Sequence, residues 1–96
     1  MNFDPADLQD LELAIADKLY IQVANWRLYL GDAGLANSLA LECMARLEEG
    51  PESAAKKSLA VIEVSLAGGR TLVQLEELMP SGQVNDLIDL INPYCR

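Results

Sequence analysis

The stretch YIQVANWRLYLGDAG, residues 20–34, places Trp26 and two of the chain's three tyrosines within ten positions and then meets Gly31-Asp32-Ala33-Gly34. Its reading sets the length of the first element, and through it the architecture. Leu8, Leu11, Ile15, Leu19, Val23, Trp26 and Leu30 recur at three- and four-residue steps, which is one face of a helix. Upstream, Asp4 can accept from the free amides of a first turn, and Pro5 suits the first helical position. Asp7 and Asp10 favour the positive helix end. Gly31 is the natural left-handed stop. The spacing therefore predicts a long N-terminal helix over residues 5–30, about 39 Å at 1.5 Å per residue.

On that helix Trp26 joins the core stripe, where a large ring with few rotamers fills space well. Tyr29 lies near the stripe's edge. Tyr20, Ile21, Ala24 and Leu28 fall on the back, with Arg27 one seven-residue step from Tyr20. A helix apolar nearly all round has to be covered nearly all round. Either other helices wrap it or a second molecule does. Tyr20, Ile21, Ala24, Arg27 and Leu28 are thus the candidate partner-binding residues, an aromatic and aliphatic patch with an arginine at its rim. A homodimer through this first helix is the simplest version. The alternative is a small-ligand-binding regulatory domain with a pocket beside Trp26 and Tyr29, between helices.

Beyond the turn, LANSLALECMARLEEG gives a second helix, with Leu35, Leu39, Cys43 and Leu47 on one face and Gly50-Pro51 as its end. PESAAKKSLAVIEVSLAGG follows. Its alanines and lysines favour helix, capped by Gly68-Gly69. Ile62, Val64 and Leu66 nevertheless alternate with Glu63 and Ser65, as a strand would. In RTLVQLEELMP, Thr71 with Gln74 fits a capping box, and TLVQL fits a strand equally. A lone strand needs a mate, so a short strand pair near residues 61–75 is the alternative to helix there. Pro80-Ser81 opens a last helix, lined by Val84, Leu87, Ile88 and Ile91 and stopped at Asn92-Pro93. No linker, internal repeat or low-complexity tract is evident. The expected fold is mainly α: a small bundle of four to five helices forming one domain, residues 1–96.

With 96 residues, 51% of them hydrophobic, the chain is one well-supplied domain. Its net charge of −8 argues against nucleic acid as a partner, since phosphates need Lys and Arg to displace counterions, and none is expected. A basic protein surface is the better electrostatic match. The acidic start, MNFDPADLQD, is not a signal peptide, and no run of 18 apolar residues exists to span a membrane. Cys43 and Cys95 make no disulfide scaffold and point to a reducing, cytoplasmic setting.

Histidine is absent, which removes the commonest general base and metal ligand. Two isolated cysteines give no zinc spacing, and the glycines of GDAG and AGGR follow helical runs rather than opening a phosphate loop. The pairs Asp7/Asp10 and Asp86/Asp89 sit opposite apolar faces, where they are solvated. No catalytic residue, metal or cofactor is expected, and the chain reads as no enzyme. Glu48, Glu49 and Glu52 form the densest acidic cluster, either a docking point for a basic partner or a soluble loop.

ADKLYIQVANWRLYLGDAGL (residues 16–35), with its Tyr20, Trp26, Leu28 and Tyr29, and LEELMPSGQVNDLIDLI (residues 75–91) carry a resemblance over nearly the whole chain. The sequence resembles a family of small cyanobacterial proteins classed as a domain of unknown function. That resemblance brings no activity, cofactor or catalytic residue. It implies an intracellular protein of a photosynthetic cell, auxiliary to assembly or regulation.

Overall fold

Asp4 starts the first helix as the sequence predicts: its carboxylate accepts from the Ala6 N–H at 2.9 Å, and Pro5 takes the first helical position. In this computed structural model, which describes residues 4–23, 25–66 and 69–95, helix α1 (Pro5–Lys18) ends at Lys18. The long helix over 5–30 is not formed. Leu19 turns extended, and the chain continues as an antiparallel pair, β1 (Tyr20–Val23) with β2 (Trp26–Tyr29), then a single helical turn, α2 (Leu30–Ala33).

The residue types give the reason. Tyr, Ile, Val and Trp lose rotamer freedom in a helix and suit a pleated surface. Leu19 and Ile21 alternate on the way out, Leu28 and Leu30 on the way back. A period of two thus carries Leu19, Ile21 and Leu30 into the core. The Leu30 N–H donates to the Leu19 carbonyl at 2.9 Å and closes the hairpin at its base. Ala24, Gly68 and the side chains of Val23 and Leu66 lie outside the described residues. Gly31 is not the left-handed stop; Gly34 is, at φ +73°.

Helix α3 (Ala36–Met44) buries Ala36, Leu39, Ala40, Cys43 and Met44, and a 3₁₀ turn (Leu47–Glu49) leads to Gly50. Helix α4 (Pro51–Val61) stops before the alternating residues rather than running through them. These form β3 (Glu63–Leu66), paired antiparallel with β4 (Thr71–Gln74): the alternative of a strand pair near 61–75 replaces the favoured helix, because Ile62 and Val64 alternate with Glu63 and Ser65. The capping box sits later than Thr71–Gln74. Gln74 is the N-cap of α5 (Leu75–Leu78), and its N–H donates to Glu77 Oε2 at 3.0 Å. Helix α6 (Ser81–Ile91) and a 3₁₀ turn (Asn92–Tyr94) follow. The fold is mainly helical, with six α-helices and two strand pairs among the described residues, more segmented than four to five helices.

The chain repeats itself, which the sequence does not announce. Helix, two strands, a helical turn, a helix and a 3₁₀ turn occur in that order from Pro5 to Glu49 and again from Pro51 to Tyr94. The second hairpin closes as the first does, the Leu75 N–H donating to the Ile62 carbonyl at 2.8 Å. Helix α1 packs on α3 as α4 packs on α6, and the halves meet through α3 with α4 and α1 with α6. That contact pattern is the one an approximate internal two-fold would give. Leu11, Ile15 and Leu19 from the first half meet Leu59, Leu75, Leu87 and Ile91 from the second in one apolar core.

A candidate interaction site on the first hairpin

The register of β1 with β2 sorts the opening stretch into two faces. Tyr20 lies opposite Tyr29 and Gln22 opposite Arg27 on one; Ile21 lies opposite Leu28 on the other, the side on which Trp26 also falls. The two tyrosine rings stack with centroids 5.7 Å apart and planes 30° from parallel. Arg27 lays its guanidinium 4.3 Å from the Tyr20 ring centroid, a cation–π contact. Among the described residues, ion pairs engage Arg46, Lys56 and Lys57 and none engages Arg27.

On the opposite face Ile21 is only 3% exposed and belongs to the core, so it leaves the candidate patch. Leu28 is 41% exposed and Trp26 77%. Trp26 is therefore neither a core residue nor a wall of a pocket between helices. It stands in water because the hairpin carries it outward, away from the helices. Tyr20 and Tyr29 are half-buried and Arg27 is exposed. The structure thus brings Tyr20, Arg27 and Tyr29 together, puts Trp26 and Leu28 behind them, and gives Ile21 a different task.

One positioning residue escapes a sequence reading. Gln83 of α6 is buried, accepts the Tyr20 N–H on its Oε1 at 2.7 Å, and donates from Nε2 to Asp86 Oδ2 at 2.9 Å. It ties the first hairpin to the second half of the molecule. The available signal is its place four and eight residues before Leu87 and Ile91, a polar residue on an apolar stripe.

The second hairpin shows what the fold itself demands. Glu63 and Gln74 stand where Tyr20 and Tyr29 stand, Val64 and Val73 where Ile21 and Leu28 stand, and Ser65 and Leu72 where Gln22 and Arg27 stand. The inward aliphatic position is kept. The Tyr–Tyr–Arg group is not, so closing such a hairpin onto such helices does not require it.

The acidic cluster at Gly50-Pro51 is engaged at home. Glu52 pairs with Lys56 at 2.7 Å, and Glu49 pairs with Lys57, with Ser53 also donating to it. Each lysine holds its carboxyl partner below the usual carboxylate range, through a hydrogen bond first and charge second. These side chains line a shallow open depression. With Glu49 and Glu52 so paired, and of the three only Glu48 exposed without an ion pair among the described residues, this loop is a weaker attractor of a basic partner than its sequence suggests.

The family described as Protein of unknown function (DUF3181) matches residues 8–94. The chain is also similar to thylakoid-associated protein slr0729 of Synechocystis sp., 28% identical over 90 residues, a stretch covering 92% of this chain and 89% of that relative. No solved structure matches it significantly. No helix among the described residues is long and apolar enough to cross a membrane.

Proposed function

The chain belongs to the DUF3181 family, and we propose that it is a non-enzymatic interaction protein of a photosynthetic cell that docks through its first hairpin and works beside the thylakoid membrane. The observation that carries this reading is Trp26, 77% exposed on the face shared with Leu28, with Arg27 held ready on the opposite face. Large aromatic area left in water, next to a fixed cation, is the composition that binding surfaces favour. The second hairpin supports the reading from within the molecule, since it fills the same place without such residues. The relative's thylakoid association supplies the setting. An adaptor or assembly role fits a chain of 96 residues without histidine.

The test is recovery with thylakoids. A tagged chain expressed in a cyanobacterium is expected to co-sediment with the thylakoid fraction, and Trp26→Ser with Arg27→Glu to move it to the soluble fraction. Circular dichroism of the purified variant should match the wild type. Unchanged sedimentation of a folded variant would overturn the proposal. A small-ligand pocket beside Trp26 and Tyr29 has less support, because the indole stands in solvent.

A further inference from the structure

Resting on the first hairpin as the docking element, we propose that the outer edge of β2 takes an extended, acidic peptide segment as a third strand. The bond from the Leu30 N–H to the Leu19 carbonyl fixes which backbone groups face inward. Counted from it along the register, Ile21 with Leu28 and Val23 with Trp26 exchange the ladder bonds, while Tyr20, Gln22, Arg27 and Tyr29 turn their N–H and C=O groups outward. On the β1 side the Tyr20 N–H meets Gln83. On the β2 side the Tyr29 carbonyl accepts the first bond of α2. The Arg27 N–H, the Arg27 carbonyl and the Tyr29 N–H have no protein partner among the described residues, and β2 is exposed along Trp26–Leu28. The second hairpin closes the same edge. Gln74 holds the place of Tyr29, and its N–H donates to Glu77 Oε2 at 3.0 Å. Asp32 holds the place of Glu77 and makes no such bond.

A row of donor, acceptor and donor along a strand edge is matched by another backbone, which a lipid headgroup does not supply. The residue set directly opposite Arg27 shows its side chain on the Arg27 face. Arg27 then stands on the middle strand, with the Tyr20 ring on one flank at 4.3 Å and the incoming side chain on the other. A guanidinium stacked on a ring still presents N–H donors at its rim, and a carboxylate fits them. A second copy is the wrong occupant. Arg27 is the β2 residue with both backbone groups turned out, so a two-fold pairing of β2 with itself centres there and sets arginine against arginine. The chain's charge of −8 repels any acidic partner at long range. At physiological ionic strength that repulsion is screened beyond about 8 Å, and the near charge is that of Arg27.

The probe is a library of peptides about eight residues long, enough for one strand, with glutamate at every second position and the others varied. Selected members are titrated into the full chain and followed by amide NMR. Saturable binding tighter than about 1 mM is expected, with shift changes centred on Arg27 and Tyr29 and slower exchange of both N–H groups. Arg27→Glu should weaken binding at least about tenfold, and lysine versions of the same peptides should then bind the variant better than the wild type. Arg27→Gln is the milder companion should Arg27→Glu lower stability. Methylating the peptide nitrogens that face Arg27 should abolish binding without altering any charge. If no member binds tighter than about 1 mM, the proposal is overturned. Shifts that centre on residues 63–74, or binding that ignores the charge swap, overturn it equally. So does self-association through β2, or the same shifts produced by anionic phospholipid vesicles instead of peptide. If peptides bind as described while thylakoid sedimentation ignores Trp26 and Arg27, the third strand stands and the thylakoid reading falls. If sedimentation depends on the hairpin and no peptide binds, the hairpin docks in another way and the third strand falls.

Discussion

The backbone N–H of Tyr20 donates to the side chain of Gln83 across 63 residues of sequence, at 2.7 Å. It is a side-chain anchor for a hairpin that is otherwise only two strands wide. Two-stranded hairpins are marginal alone in water, so the exposed aromatic surface stays in place through what grips β1 from behind. Gln83→Met keeps most of the volume but leaves the Tyr20 N–H without its acceptor, and unsatisfied buried donors cost about 1–3 kcal/mol. The expected loss in urea unfolding is of that size. Amide exchange should speed up in residues 20–29 more than in residues 63–74.

Trp26 and Leu30 sit four residues apart and predict opposite outcomes. Leu30 is fully buried, so Leu30→Ala should cost about 2–5 kcal/mol through lost contacts and a cavity. Trp26→Ser should stay within about 0.5 kcal/mol of wild type in the monomer, as exposed substitutions do. Trp26 fluorescence of dilute protein should be readily quenched by iodide. A blue-shifted, shielded indole in the monomer would contradict the exposed hairpin.

The same tryptophan explains why the first half was harder to read than the second. In VIEVSL, Glu63 and Ser65 separate Ile62, Val64 and Leu66, so the alternation is visible. In LYIQV, Tyr20 takes the intervening place, and an apolar aromatic there hides the two-residue period. Val23, Trp26 and Leu30 then complete a spurious helical stripe. The side chains that mask the strand are the ones that build the candidate site, since Tyr20 stacks on Tyr29 and receives Arg27. The repeated order of elements is hidden for a related reason. Helix α4 has 11 residues against 14 in α1, and register-equivalent positions pair Tyr20 with Glu63 and Arg27 with Leu72. What did read correctly was local and polar or strongly periodic: the Asp4-Pro5 start, the Gly50-Pro51 boundary, the buried Cys43 and the final helix through Ile91.

Gly31 is a glycine for lack of room. A Cβ built on it would lie 2.8 Å from Ala16 Cβ and 3.1 Å from the Ala16 carbonyl oxygen. The second neighbour is backbone and cannot swing aside. Gly31→Ala should therefore push α2 off α1 and cost about 1–3 kcal/mol, as overpacking does. Gly82 in α6 has nothing within 4 Å of the same position. Gly82→Ala should be neutral or stabilise by up to about 1 kcal/mol through helix propensity and a less free unfolded chain. Thermal unfolding of the two variants side by side checks both signs.

Cys43 gives the molecule an alkaline limit. Burial pushes its thiol up to about 11 from an ordinary 9.0, because the thiolate cannot be solvated between α3 and α4. The Ser58 hydroxyl beside it opposes the shift, but their approach falls short of a hydrogen bond, since Ser58 Oγ has no partner. A folded chain that holds this proton more tightly than an unfolded one is fully stabilised by it below pH 9. The stabilisation drains as pH rises through about 11, by about 3 kcal/mol at most. Urea midpoints measured from pH 8 to 11 should thus fall more steeply for the wild type than for Cys43→Ala, whose cavity penalty does not vary with pH. Thiol labelling reads the same environment. Cys95 is only partly buried and should react with iodoacetamide in the native state, with Cys43 following only after unfolding. Equal labelling of both cysteines in folded protein would mean that α3 and α4 do not close over the thiol.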